Sequence, residues 1–236
     1  MSAVFRAAHT GAVATILLIE DDPLIQRGLQ LALSRHGHDV RTAGTGEDGL
    51  REFSANPPHL VLLDMMLPGI DGSEVCRRVR AAGEVPVIIL SARGDDFDVV
   101  EGLAAGADDY VVKPAQPTVI DARIRAVLRR AAVVSDGVRT HRDLRIDTTS
   151  LTVTAREEPV PLTPTELRLL LTLSRAPGRV FSRQQLLEEV WEHDYLGDSR
   201  LVDNCVQRLR AKIEHQPAEP EYIQTVRGFG YRFGPV

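Results

Sequence analysis

Hydrophobic residues in the first half of the chain come in short runs, and each run stops on a polar residue. Thr15–Ile19 stops on Glu20 and Asp21, Leu60–Leu63 on Asp64, Val87–Leu90 on Ser91, and Tyr110–Val112 on Lys113-Pro114. A further β-rich run covers Asp39–Thr42. Between the runs the apolar spacing lengthens to a helical period, which predicts helices near Pro23–His36, Gly46–Asn56, Gly72–Ala81, Asp96–Ala104 and Pro117–Arg130. Pro23 suits a first helical turn, where its missing N–H costs nothing, and Asn56-Pro57-Pro58 stops the second helix. This alternation predicts a doubly wound α/β domain, a five-stranded parallel sheet covered on both faces. Ligands of such sheets sit beyond the carboxyl ends of the strands, so the polar stops gather at one edge.

The character changes after residue 130. Ala131–Arg142 contains Ser135-Asp136-Gly137 and no sustained apolar period, and reads as a linker. Leu144–Val153 and Val160–Leu162 read as short antiparallel strands with a turn near Glu157-Glu158-Pro159. In Thr163-Pro164-Thr165-Glu166, Thr163 is the expected N-cap, Pro164 the first helical residue and Glu166 the reciprocal capping partner. That helix runs through the leucines to Ala176 and stops at Pro177-Gly178. A second helix is expected from Ser182 to about Trp191, then a loop over His193–Ser199, then a third helix over Arg200–Ile213. Tyr222–Arg227, the turn Gly228-Phe229-Gly230 and Tyr231–Phe233 read as a β-hairpin. The expected organisation is a first domain over 15–130, a linker over 131–142 and a smaller α+β domain over 143–234. Met1–Ala14, whose one charge is Arg6, is expected to be a disordered extension.

Composition narrows the function classes. A chain of 236 residues is comfortable for two domains. No apolar stretch approaches the length of a membrane span. Cys76 and Cys205 fall in different domains, which is no disulfide framework and suits a reducing cytoplasm. The net charge of −5 argues against non-specific binding of nucleic acid by the whole molecule. Residues 1–130 hold 14 Lys+Arg and 18 Asp+Glu, a net of −4, and residues 131–236 hold 14 and 15, a net of −1, so any basic surface is local. Lys113 and Lys212 are the only lysines among many arginines. An ammonium and a guanidinium are not interchangeable, which marks Lys113 at its strand end.

The polar strand ends are the parts phosphoryl chemistry needs. A carboxylate attacks a phosphoryl group poorly unless a cation offsets the repulsion, and Asp64 beside Glu20 and Asp21 concentrates negative charge. Mg²⁺ suits such a set, because it takes a few carboxylates together with phosphate oxygens and waters. Lys113 can hold a phosphate oxygen and Ser91 can donate a hydrogen bond to one. Taken singly, each of these residues is equally well a solvated strand end.

At this point Thr15–Arg130 resembles the receiver domains of bacterial two-component response regulators, which have a flavodoxin-like fold. The matching words are Ile-Leu-Leu-Ile-Glu20-Asp21-Asp22, Leu-Val-Leu-Leu-Asp64-Met-Met-Leu-Pro68-Gly69-Ile-Asp71-Gly72, Leu90-Ser91-Ala92-Arg93 and Gly106-Ala107-Asp108-Asp109-Tyr110-Val-Val-Lys113-Pro114. The resemblance implies that Asp64 accepts phosphate from a sensor histidine kinase. It implies that Glu20, Asp21, Asp64 and the backbone carbonyl of Met66 hold Mg²⁺, and that Ser91 and Tyr110 form the switch pair. It implies no enzyme in the ordinary sense, catalysis of its own dephosphorylation aside. Asp22 reads as a loop or helix-start residue, and Ala115 stands where the family usually has an aromatic residue.

On a helix over Arg200–Ile213, the residues Val202, Val206, Leu209 and Ile213 share a narrow apolar stripe. The opposite side carries Arg200, Asn204, Gln207, Arg208 and Ala211, with Arg210 and Lys212 on the flanks. Arginine suits guanine edges, amides suit adenine, and flanking cations suit phosphates. A solvated face reads the same way when taken alone. Leu144–Phe233 resembles the winged helix-turn-helix effector domain of the OmpR/PhoB family. The matching words are Leu162-Thr163-Pro164-Thr165-Glu166-Leu167, Arg200-Leu-Val202-Asp203 through Arg208-Leu209-Arg210, and Gln224-Thr225-Val226-Arg227-Gly228-Phe229-Gly230-Tyr231. The resemblance implies DNA contacts by Arg200 to Arg210 and by Thr225 and Arg227 on the wing. It also implies a contact of the loop His193–Ser199 with RNA polymerase. Asn204 and Cys205 depart from the residues common in relatives, which is expected to retune sequence choice. Trp191 and Phe181 read as core.

The resemblance further implies that Asp96–Ala104, Tyr110–Val112 and Pro117–Arg130 form the face through which phosphorylated receivers pair as homodimers. Asp108, Asp109, Arg123 and Arg130 match members of its charged set, while Val99 and Val119 stand where relatives carry an ion pair. The expected function is a cytoplasmic, phosphorylation-dependent transcriptional regulator binding direct-repeat promoter half-sites. Two other readings remain open: a constitutive DNA-binding regulator with the same fold, and a metal-dependent phosphotransferase acting on small molecules. Met66, two residues after Asp64, speaks against a dehalogenase-like phosphatase, which needs a second acid there.

Overall fold

The computed structural model describes residues 14–92, 101–128, 137–191 and 199–234. The chain divides into two compact units, the first running to residue 129 and the second from residue 130.

The first unit is the expected α/β fold. Strands β1 (Thr15–Ile19), β2 (Asp39–Ala43), β3 (Leu60–Asp64), β4 (Val87–Ala92) and β5 (Asp109–Lys113) form one parallel sheet in the order β2-β1-β3-β4-β5. Helices Pro23–Arg35, Gly46–Ala55, Gly72–Ala82 and Pro117–Leu128 connect or follow them, and residues 101–104 are also helical. Residues 96–100 of the expected helix Asp96–Ala104 lie outside the described residues, as do residues 1–13. Sheet order reverses between β1 and β3, and the crevice at that switch point opens at the carboxyl ends of the strands.

Strand alternation fills both faces of the sheet. Ile16 and Leu18, Leu60 and Leu62, Ile88 and Leu90 pack with Leu29, Leu33, Ile120, Ile124 and Val127 in one core cluster. Their neighbours Leu17, Ile19, Val61 and Leu63 point the other way and are also fully buried. Each such side chain contributes about 1.5–3 kcal/mol relative to exposure. Local chemistry sets the helix starts. Asp22 caps the helix at Pro23, its Oδ1 accepting from Leu24 N at 2.8 Å and Ile25 N at 3.1 Å. Asp71 caps the helix at Gly72, accepting from Glu74 N at 2.8 Å, which holds its carboxyl below the usual range. Gly72 has no alternative: a methyl group there would run into the Asp64 carbonyl oxygen and lie 2.7 Å from the Met65 Cα.

The second unit differs from expectation at its start. Val138–His141, read as linker, is a strand (β6) paired antiparallel with β7 (Leu144–Asp147). It has no apolar alternation, and cross-strand bonds hold it, with Thr148 N donating to Gly137 O at 3.0 Å. The expected strand Leu144–Val153 is instead a hairpin, β7 with β8 (Thr152–Ala155). Asp147 Oδ1 accepts from Thr149 N and Ser150 N, both at 2.9 Å, and this local turn, with Leu151 at φ 56°, reverses the chain. A second turn at Arg156 and Glu157, both at positive φ, leads to β9 (Glu158–Pro159), so the expected strand Val160–Leu162 is not formed.

The helical part follows the sequence closely. Helix Pro164–Ser174 starts with the capping box of Thr163 and Glu166. Ser182 and Gln185 form a second capping box at the helix Arg183–Leu186, which continues as one π turn over Leu187–Trp191. Helix Arg200–Ile213 follows, and β11 (Ile223–Val226) and β12 (Gly230–Phe233) close a three-stranded sheet with β10 (Val180–Phe181), which the sequence did not announce. Phe181 and Trp191 are core residues, as expected.

One polar knot ties the first unit together away from its carboxyl edge. Asp121 lies 2.8 Å from His38 Nε2 and 2.9 Å from Arg125 Nε. Burial pushes its carboxyl up, but the Arg125 and His38 hydrogen bonds outweigh burial and hold it below the ordinary range. A depressed value contributes stability above the unfolded-state pKa and loses it as pH falls through the folded-state value. Asp121→Asn is expected to cost about 1–3 kcal/mol at neutral pH, towards the lower end because Arg125 is half exposed. In urea unfolding the gap from wild type is expected to close below about pH 4.

Candidate functional site

Three carboxylates meet at the carboxyl edge of the first sheet. Glu20 follows β1, Asp64 ends β3, and Asp21 is next in the chain; one oxygen from each lies within 4.8 Å of the others. Among the described residues this is the one grouping of three such ligands with donor atoms that close. Glu20 is 1% exposed and Asp64 6%, while Asp21 faces solvent. Asp64 Oδ1 accepts from Met66 N at 3.2 Å. Met66 itself is exposed.

Lys113, at the end of β5, bridges the two buried acids. Its Nζ lies 2.6 Å from Asp64 Oδ2 and 2.7 Å from Glu20 Oε2. Burial alone would lower the ammonium, but the hydrogen bonds to Asp64 and Glu20 outweigh burial and raise it, so the cation is secure. Burial raises the Glu20 carboxyl, the charge of Asp64 adds to this, and the Lys113 hydrogen bond opposes both. The pocket is therefore short of positive charge: buried carboxylates outnumber the one buried ammonium that touches them.

The register of β4 and β5 places the remaining candidates. Asp64 pairs with Leu90, Ser91 with Val112, Ala92 with Lys113, and Ile89 with Tyr110. Ser91, fully buried, thus sits one residue beyond the level of Asp64, and half-buried Tyr110 lies further back along its strand. Lys113-Pro114 is a cis peptide.

The residues expected on a pairing face are divided. Val119 is 45% exposed, but Asp108 and Asp109 are fully buried and committed inside the unit. Asp108 pairs with Arg80 and accepts from Val87 N at 3.0 Å; Asp109 pairs with Arg123 at 3.3 Å. The expectation of Asp108 and Asp109 as surface contacts is corrected by these internal partners. Val99 and Arg130 lie outside the described residues.

In the second unit, helix Arg200–Ile213 buries Val202, Val206, Leu209 and Ile213, and the stripe also takes in Leu201 and Cys205. Cys205, expected to retune sequence choice, is fully buried and belongs to packing. Gln207 and Ala211 are exposed, and Arg200 and Asn204 half-exposed. The other cations turn inward. Arg208 Nε donates to Glu166 Oε1 at 3.2 Å, and Lys212 Nζ donates to Glu166 Oε2 at 2.8 Å and to Pro161 O at 3.0 Å. Arg210 donates to Ile223 O at 2.9 Å and 2.6 Å and to Thr225 Oγ1 at 2.9 Å. All three are expected DNA contacts, and in the structure each is spent on a neighbouring element. On the wing Arg227 and Phe229 are exposed. Residues 193–198 of the loop His193–Ser199 lie outside the described residues.

A polar cluster unseen in the sequence joins this helix to the wing. Asp203 Oδ1 accepts from Arg183 Nε and from Tyr231 Oη, both at 2.7 Å, and Arg183 and Arg210 lie 5.0 and 5.7 Å from the Tyr231 ring centroid. No local pattern announces it, because the partners come from separate stretches of chain.

Residues 16–125 match the family described as response regulator receiver domain, and residues 157–233 match the family described as transcriptional regulatory protein, C terminal. The transcriptional regulatory protein AfsQ1 of Streptomyces coelicolor is 61% identical over 221 residues, 94% of this chain and 98% of that one. The DNA-binding response regulator MtrA of Mycolicibacterium smegmatis is 45% identical over 225 residues, 93% of this chain and 96% of that one. Among solved structures, the response regulator DrrB of Thermotoga maritima, an OmpR/PhoB homolog, is 37% identical with a TM-score of 0.50, covering 94% of this chain and all of its own.

Burial, reinforced by the hydrogen bond to Asp203, pushes the Tyr231 hydroxyl up to about 12, and burial with Asp143 does the same for Tyr222. A raised folded-state value means the stability is whole below about 10 and is lost as pH rises through about 12. Tyr231→Phe and Tyr222→Phe are each expected to remove one late step from the alkaline tyrosinate absorbance titration. Loss of a step at the ordinary tyrosine value instead would contradict these contacts.

Proposed function

The chain belongs to the OmpR/PhoB family of two-component response regulators, and we propose that the switch it carries is the carboxylate of Asp64. It regulates transcription by binding DNA under the control of phosphorylation. One observation carries the proposal: Lys113 holds two buried carboxylates, Glu20 and Asp64, while a third, Asp21, stands open beside them. A buried carboxylate near a second one and a single ammonium is poised to gain from both a further cation and an arriving phosphoryl group.

The donor set of acids alone, with one member exposed, fits a hard divalent ion. Glu20, Asp21, Asp64 and the Met66 carbonyl are the residues we assign to Mg²⁺, which when bound offsets the charge that builds on the phosphoryl oxygens. An Asp64 oxygen attacks phosphorus, the phosphorus–nitrogen bond of the kinase phosphohistidine breaks, and the imidazole leaves with a proton from solvent. Lys113 then exchanges its bond to Asp64 for one to a phosphoryl oxygen. Ser91 donates its hydroxyl to another, and Tyr110 follows the altered position of β4. Hydrolysis of the acyl phosphate by the same residues returns the switch to its resting state.

Phosphate biases a pre-existing equilibrium towards a receiver homodimer through the face that includes Val119, Arg123, Val99 and Arg130. Two linked effector units then meet direct-repeat promoter half-sites, and linkage raises affinity without new contacts. Arg200, Asn204 and Gln207 are the base-reading candidates and Arg227 the wing contact, with Thr225 positioned by Arg210. RNA polymerase is the partner we assign to the loop 193–199. Among the described residues no helix is long and apolar enough to cross a membrane, and the cytoplasm, where kinase and promoter are both reached, is the compartment we assign.

With acetyl phosphate and Mg²⁺, wild type is expected to become labelled on Asp64, to grow in size-exclusion chromatography, and to bind a promoter roughly 10²-fold more tightly. Asp64→Asn is expected to do none of these. Equal promoter affinity for both proteins with and without the donor would mean a constitutive regulator and would refute the switch.

A further inference from the structure

A carboxylate from the first helix of the second unit reaches into the DNA-reading helix. Glu166 is 1% exposed. Its backbone role is the capping box, with Oε2 accepting from Thr163 N at 3.0 Å. Capping needs one oxygen and no net charge, since glutamine serves as well. Yet Glu166 also receives Arg208 Nε at 3.2 Å and Lys212 Nζ at 2.8 Å. Those cations lie one turn apart on helix Arg200–Ile213, and the side chains of both are largely buried, at 19% and 25% exposure.

We propose that Glu166 is a specificity-determining positioning residue, which sets the rotation of helix Arg200–Ile213 and so decides which side chains face the bases. The proposal rests on the reading of that helix as the DNA-reading element.

The physical case has three parts. Apolar packing by Val202, Val206, Leu209 and Ile213 is non-directional, and it tolerates a small rotation of the helix about its axis. Charge-assisted hydrogen bonds are directional and short-ranged, and two of them one turn apart on one flank oppose such a rotation. On the other flank Arg210 is held by Ile223 O and Thr225 and Asp203 by Arg183 and Tyr231, so the helix is pinned from both sides. Gln207 and Ala211 are left outermost. Base reading depends on bidentate geometry, whereas phosphate attraction depends mostly on charge. Loosening the rotation therefore harms discrimination more than it harms attraction to duplex in general.

Glu166→Gln keeps a capping-competent side chain and presents an amide where two cations need an anion. The test compares the full-length protein on two duplexes: the one that wild type enriches most from a random-sequence pool, and a scrambled duplex of the same composition. Glu166→Gln is expected to lower the ratio of the two affinities roughly tenfold, with binding to the scrambled duplex unchanged or tighter. The effect must pass through the two cations, so Glu166→Gln adds nothing further in a protein already carrying Arg208→Gln and Lys212→Gln. A parallel fall on both duplexes, as from a lowered folded fraction, overturns the proposal, and so does an unchanged ratio. An additive effect in the triple variant overturns it even if Glu166→Gln alone is poorly folded. Absence of sequence preference in wild type would instead sink the DNA-reading assignment itself.

Discussion

A single ammonium held between two buried carboxylates is the contact on which the first unit turns. Glu20 and Asp64 come from strands that are neighbours in the sheet but lie far apart in the chain, and Lys113 arrives from the strand at the edge. Burial and the nearby charge of Asp64 both push the Glu20 carboxyl up, and the hydrogen bond from Lys113 opposes them. The structure around the pocket serves that arrangement. The apolar bodies of the strands fix their ends, Gly72 lets the following helix close against the backbone of Asp64, and Asp71 and Asp22 stop the loops from wandering. The result is a site with too little positive charge of its own, and that shortage is the ground on which we assign it a divalent ion and a phosphoryl group.

The second unit handles buried charge with the opposite sign. There Glu166 is one buried anion facing two cations, and Glu214 is a second, accepting from the backbone N–H groups of Glu221, Tyr222 and Ile223. Glu166 thereby takes up positive charge that helix Arg200–Ile213 would otherwise show to solvent. A chain with a net charge of −5 has little general attraction for DNA. Spending Arg208, Arg210 and Lys212 on internal contacts leaves less positive charge for that attraction.

Most of the first unit was legible because its signals are local. An apolar run with a polar stop names both a strand and the residue that its end presents, and a proline or aspartate before a helical period names the helix start. The second unit was legible where caps and periodicity speak, as at Thr163 and Ser182. It was illegible where a strand is held by pairing alone, as in Val138–His141, or where two hydrogen bonds from Asp147 turn an apparently continuous strand back on itself.

By itself the sequence determined the two folds, the acidic edge with its lysine, and an amphipathic helix with amides and arginines on one side. Those follow from periodicity and residue type, which do not depend on distant neighbours. Only tertiary structure decided which charges stay available. Asp108 and Asp109 turned inward to Arg80 and Arg123, Cys205 joined the core, and Arg208 and Lys212 went to Glu166. A charged side chain long enough to reach several partners takes the one that burial leaves most in need of it, and that competition is settled by three-dimensional proximity, which no local pattern along the chain encodes.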